Sequence, residues 1–272
     1  MNYKSLRILK EDPIAEVVLT GPGKGNAMGP DFWKEMPELF SSLDRDERVR
    51  AVLLRGEGNN FSYGLDLLAM MEDLGPLLLG ENLAGSRTRL LDKIGQMQQA
   101  CQKVAQCRKP VIAAIQGWCI GGGLDLISAC DARFCSSDAR FSLREVQLAI
   151  VADLGSLQRL PRIIGEGRAR ELAFTGKEID AEEALRIGLV NRVYKTSEEL
   201  LEGARQCVCE IAKNPPIAVQ GIKQVMNACD GKTVEEGLRY VATWNAAFLQ
   251  SLDLAEAFAA FAEKRQPQFK GE

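Results

Sequence analysis

The chain is 272 residues long, carries 34 Lys and Arg against 37 Asp and Glu, and contains no histidine. Charge this close to balance, with no long run of either sign, gives poor support to nucleic-acid binding; the missing histidine removes the usual neutral-pH proton carrier and the commonest metal ligand, so metal binding is unsupported. The eight cysteines form no Cys-x-x-Cys pair and read as free thiols of a reducing compartment, with Cys119, Cys130, Cys135, Cys207, Cys209 and Cys229 in apolar surroundings and expected inside.

Residues 6–9 and 14–20 look like a hairpin around Glu11-Asp12-Pro13. A loop over 21–29 leads to a helix that Asp31 can cap, reaching about residue 43 with Pro37 inside it. A covered strand over 49–55, a turn-rich loop over 56–64 and a short helix over 65–71 follow, and 74–85 is the least readable stretch. The next helix, 86–107, has an apolar face traced by Leu90, Ile94, Met97, Cys101, Val104 and Ala105. Residues 111–116 form a strand whose uniform apolarity predicts burial on both sides, as in a largely parallel sheet. Glycines 121–123 open a helix through Ala129, and 132–135 is again a strand, so the first half reads as an α/β protein. After about residue 195 only helices remain: 197–212, 216–228, 233–249 and 252–263, with Asn214 a candidate cap and Thr233 the start of a capping box. No run approaches a membrane span, and the N-terminus lacks the apolar core of a signal peptide, so a cytoplasmic protein is expected.

The most informative segment is Gly117-Trp118-Cys119-Ile120-Gly121-Gly122-Gly123-Leu124-Asp125, with Glu145 and Asp153 further along in apolar surroundings. Carboxylates among residues that are normally buried must be paired, hydrated or neutralised, which marks Asp125, Glu145 and Asp153 as candidates for proton transfer. Each has a plainer explanation. Asp125 could be a helix-terminal acid held by backbone N–H groups, Glu145 could pair with an arginine, and Asp153 could cap a helix. The contiguous glycines do not match the dinucleotide-binding pattern, and a phosphate loop is also absent, so no cofactor is expected. They do let a ligand approach backbone N–H groups at a helix start. A second glycine loop, Phe61-Ser62-Tyr63-Gly64-Leu65-Asp66, could supply a second N–H, and such a pair stabilises the charge that develops when a C–H beside a carbonyl is deprotonated. Cys119 has no histidine to activate it and reads as packing. Arg133, Arg159, Arg162 and Arg168 read as ordinary ion-pair or surface groups.

Taken together, Lys24 through Met28, the 61–66 loop, the run from Ile115 to Asp131, Phe141 through Glu145, the 157–161 segment and Ala184 through Val190 resemble the enoyl-CoA hydratase/isomerase, or crotonase, superfamily over nearly the full length. The resemblance implies a ββα spiral core over 1–195 holding an acyl-CoA site, and a helical region over 196–272 that forms a homotrimer or a dimer of trimers. It implies a coenzyme A thioester as partner, an oxyanion hole from the amides of Leu65 and Gly122, and substrate contacts at Ala27, Tyr63, Asp66 and Gly121. Within the superfamily, the acids look like those of the dienoyl-CoA isomerases: hydratases carry glutamates at the positions of Asp125 and Glu145, and a small residue at Asp153. That likeness implies conversion of a 3,5-diene to a 2,4-diene, with Glu145 and Asp153 as the base and acid pair. A 2-enoyl-CoA hydratase, a Δ3-Δ2-enoyl isomerase and a non-catalytic acyl-CoA scaffold are the competing expectations.

Overall fold

A computed structural model describes residues 3–21, 24–78 and 83–272. Strands β1 (Leu6–Glu11) and β2 (Ile14–Leu19) form the expected antiparallel hairpin, and helix α1 (Pro30–Arg45) returns the chain to β3 (Ala51–Gly56), which joins β2 in parallel. Helices α2 (Leu67–Leu78) and α3 (Leu83–Gln106) then precede β4 (Val111–Ile115), β5 (Trp118–Ile120) and the short α4 (Gly122–Ser128). Next come β6 (Ala132–Ser136), β7 (Arg140–Ser142), a 3-10 turn over Glu145–Leu148, α5 (Ser156–Ile164), α6 (Glu166–Thr175), β8 (Ile179–Asp180), α7 (Ala181–Arg186) and β9 (Arg192–Tyr194). The chain closes with α8 (Ser197–Ala212), α9 (Pro216–Ala228), α10 (Val234–Phe248) and α11 (Leu252–Glu263).

The larger sheet runs β1-β2-β3-β4-β6-β9 and is parallel from β2 onward. Side chains alternate across it with a period of two. Ala51, Leu53, Ile112 and Ala114 face α8 and pack on Leu200, Ala204 and Val208, whereas Val52, Leu54, Val111, Ala113 and Ile115 face the main core under α1 and α3. Burial on both faces explains the unbroken apolar runs of β3 and β4. Glu16, 6% exposed in β2, is bound by Arg55 and by Arg205 of α8, which fastens that helix to the sheet. A smaller sheet, β5-β7-β8, lies beside the glycine turn, and a bridge between Ser62 and Cys119 ties the 61–66 loop to β5.

Several local expectations need correction. Asp31 does not cap α1: the cap is Gly29 without a side-chain bond, and Asp31 pairs with Lys4 at 3.4 Å. The short helix expected over 65–71 starts at Leu67 and runs to Leu78 through Gly75 and Pro76, so part of the unread 74–85 stretch is helical; residues 79–82 lie outside the described residues. Asn214 donates to the Glu210 carbonyl at 3.1 Å and does not cap α9, which begins after Pro215. Thr233 forms the expected capping box with Glu236. Cys209 is exposed and Cys207 and Cys229 are half-buried, while Cys119, Cys130 and Cys135 are inside. Arg133 is not at the surface; it is 7% exposed and donates to the carbonyls of Leu189 and Cys130. No helix among the described residues is long and apolar enough to cross a membrane.

Candidate active site

Two backbone loops meet because glycine stands at their contact. Gly64 has φ +78°, and a Cβ on it would lie 2.9 Å from the Gly122 nitrogen and within 2.5 Å of the Ile120 carbonyl. Only a residue without a side chain tolerates both the conformation and the approach. Met28 then fixes the loop's direction: its N–H donates to the Gly64 carbonyl at 2.7 Å, and its carbonyl accepts from the Asp66 N–H at 3.1 Å. In such a parallel bridge the intervening residue turns its own amide the other way, so the Leu65 N–H points away from Met28. Gly122 is the first residue of α4, where N–H groups have no partner inside the helix. The two amides are neighbours, since a Cβ on Gly122 would sit 3.7 Å from the Leu65 nitrogen. Ser62 locks the arrangement by donating from Oγ to the Asn26 carbonyl at 2.9 Å and accepting the Gly64 N–H at 3.0 Å.

Both amide-bearing residues line a cavity of about 560 Å³ that also takes in Asp125, Glu145 and Asp153. Asp125, in the first turn of α4, is 1% exposed, and its Oδ1 accepts the Ser156 N–H at 2.7 Å. Burial pushes its carboxyl up to about 6, with the Asp153 charge adding and the Ser156 hydrogen bond opposing. Glu145, at the start of the 3-10 turn, is half-buried, and burial followed by the charges of Asp125 and Asp153 pushes it up to about 7. Its Oε2 is buried without a hydrogen-bond partner among the described residues. Asp153 is raised as well, chiefly by burial.

The plainer explanations for the acids fare unequally. Arg144 does not neutralise Glu145; it pairs with Glu178 and lies over the Trp118 ring, 5.7 Å from the centroid. Asp153 does not cap α5, whose cap is Gly155. Asp125 does receive a backbone N–H, as a structural acid would, but it also faces the cavity. Tyr63 and Gly121 line the cavity; Ala27 and Asp66 are outside its lining. Asp66 instead caps α2, accepting the Ala69 N–H on Oδ1 at 3.0 Å. Sequence reasoning missed Trp118, Arg144, Ser156 and the apolar wall of Met97, Leu148 and Ile150. The apolar spacing of α3 hinted at Met97, and the apolar surroundings of Glu145 and Asp153 at Leu148 and Ile150. The arrangement can hold a carbonyl oxygen at one end and move protons at the other. Among the described residues, no group of three or more His, Cys, Asp or Glu is placed to hold a metal ion.

A mixed sheet core, a glycine-loop pair and a helical C-terminal region define an α/β fold of the crotonase type. Residues 10–272 match the family described as Enoyl-CoA hydratase/isomerase, and the chain belongs to that family, whose chemistry is on coenzyme A thioesters. The crystal structure of an enoyl-CoA hydratase from Bacillus anthracis superposes with a TM-score of 0.89 at 31% identity, covering 99% of this chain and 100% of that one. The chain is 46% identical to the mitochondrial Δ3,5-Δ2,4-dienoyl-CoA isomerase of Dictyostelium discoideum, over 99% of this chain and 92% of the relative. It is 45% identical to the peroxisomal enzyme of that name from Arabidopsis thaliana, over 98% of each chain. These relatives carry mitochondrial and peroxisomal designations, which contradicts the cytoplasmic expectation drawn from the N-terminus.

Proposed function

We propose that the protein converts 3,5-dienoyl-CoA to 2,4-dienoyl-CoA. The observation that carries this reading is the presence of three carboxyl groups in the same cavity that the two neighbouring amide-bearing residues also line. The conversion removes a proton at C2 and delivers one at C6, and a single carboxylate does not easily reach both ends of the conjugated chain. Glu145 and Asp153 serve as the base and acid pair. The C2 electrons pass into the diene and onto the thioester oxygen, giving a dienolate held by the N–H groups of Leu65 and Gly122. A donor of this kind lowers the barrier by roughly 3 kcal/mol in hydrolases. Asp125 acts on the pair through its charge, and burial, with repulsion between the acids adding to it at Asp125 and Glu145, keeps at least one protonated near neutral pH, as a general acid requires. Tyr63 and Gly121 shape the substrate's path, and Ala27 and Asp66 support the loop that carries Leu65.

Incubation with 3,5-octadienoyl-CoA and with 2-octenoyl-CoA tests the reading. The expected result is a conjugated 2,4-dienoyl absorbance with little hydration. Efficient water addition to 2-octenoyl-CoA without diene conversion would make the protein a hydratase, the activity named for the Bacillus anthracis relative. Neither activity would leave a scaffold.

The assembly is part of the proposal. We infer a homotrimer or dimer of trimers formed through residues 196–272, because Phe258 and Phe261 are 69% and 85% exposed in the isolated chain. Light scattering on the purified protein should give three or six times the 29.9 kDa chain mass, and a monomer would remove the inference.

A further inference from the structure

Behind Asp153 lies a second cavity, of about 1040 Å³, bounded by α3, α4, α5 and the end of α9. Polar side chains, including Gln102, Gln158, Arg159, Asn227 and Asp230, stand among its walls and give water hydrogen-bond partners there. Asp153 and Leu154 line both this rear cavity and the front one that holds the acids. The partition between the two cavities is therefore one short turn without regular secondary structure.

That turn is held from the rear. Gln98 Nε2 donates to the Asp153 carbonyl at 2.7 Å. Arg159 extends Nη1 toward the Leu154 carbonyl at 3.5 Å, and its Nη2 donates to Gln102 Oε1 at 2.9 Å. Gln98 and Gln102 are four apart on α3 and share a face, so one helix supplies both Gln98 and the partner that holds Arg159 of α5. Gly155, at φ +121°, makes room for the guanidinium; a Cβ there would collide with it.

We propose that Gln98 and Arg159 are positioning residues that hold the Asp153–Leu154 turn closed against rear-cavity water, and that this partition sets isomerisation against hydration. The inference rests on the isomerase reading above. Water reaching the front cavity would meet a conjugated thioester beside carboxyl groups. Its oxygen would bond to C3 while one of its protons passes to a carboxylate and the other stays on the oxygen; the double-bond electrons would pass to the thioester oxygen and return to take a proton at C2 from a protonated carboxyl group. The product is a 3-hydroxyacyl thioester, and no oxidant or reductant is needed.

The test uses the full-length Gln98→Leu and Arg159→Leu variants with 3,5-octadienoyl-CoA, measuring 3-hydroxyacyl against 2,4-dienoyl product by mass spectrometry. The ratio is internal, so a smaller folded fraction does not move it. Loss of one such anchor should raise the ratio about three- to tenfold, the partition equivalent of a single hydrogen bond. Amide hydrogen exchange at residues 153–156 should quicken in the same variants while α8 is unchanged. Unchanged exchange, or quicker exchange with an unaltered ratio, would overturn the partition. Absence of diene from the wild-type enzyme would instead sink the isomerase reading itself.

Discussion

The two ends of the front cavity are built by different means. At the amide end, Leu65 and Gly122 are set by backbone hydrogen bonds and by the buried Gly64, where a side chain would run into the Ile120 carbonyl and the Gly122 nitrogen. At the carboxyl end, Glu145 stands on a single 3-10 turn and Asp153 on an irregular turn, both half-buried. Packing decides the first end, which carries no titrating group. Burial and mutual repulsion decide the second, so its chemistry follows pH. One end supplies geometry and the other supplies protons.

The contrast can be broken at either end. Glu145→Gln or Asp153→Asn should each lower kcat by about a thousandfold, the scale of losing a general acid or base. A variant with near wild-type turnover would take that residue out of the reaction. At the amide end, Gly64→Ala drives a Cβ toward the Ile120 carbonyl and the Gly122 nitrogen. Turnover should fall about a hundredfold, with the shape of the pH profile unaltered because no ionising group is touched. A shifted profile would show that the two ends are not separable.

The pH dependence sharpens the same point. With Glu145 pushed up to about 7 and Asp125 to about 6, kcat/KM should rise as pH increases toward 7, where a base becomes available, and fall once the acid loses its proton. These limbs belong to the coupled cluster rather than to single residues. Asp125→Asn removes one repelling charge and should move the rising limb to lower pH, by up to about one unit; an upward shift would contradict the role of that charge. The smallest effect is on stability. Because burial raises Glu145 from 4.5 to about 7, the folded chain binds more protons than the unfolded one across that window, and stability falls as pH rises through it. Glu145→Gln should therefore be more stable at pH 8 than wild type, by on the order of 1–2 kcal/mol, yet nearly inactive. Urea denaturation at pH 5 and pH 8 would check this, and a variant equally destabilised at both would reject it.

The acids and both glycine loops were legible because each breaks a local rule: charge in apolar surroundings, or glycine where a strand meets a helix. The long strands β2, β3 and β4 were legible from apolar runs. Strands β5, β7, β8 and β9, of two or three residues each, were not, since so short a piece has no period and exists only through its partner. The capping role of Asp66 was not legible for a related reason: a helix starting at Leu67 turns a loop acid into a cap, and the apolar run from Leu65 concealed that start. Arg144 beside Glu145 suggested a pair in sequence. Its partner is Glu178, brought near by β7 and β8, and that pairing leaves Glu145 uncompensated. The Asp153 turn was read as a possible cap because its anchors, on α3 and α5, appear only in three dimensions.

Isomerisation requires one thioester to meet both ends of the front cavity at once. A crystal structure of the protein with 2,4-octadienoyl-CoA bound tests this most directly. The expected result is a thioester oxygen about 3 Å from both the Leu65 and Gly122 nitrogens, with Glu145 and Asp153 near opposite ends of the diene. An oxygen turned away from either amide, or both carboxyl groups beside the same carbon, would contradict it.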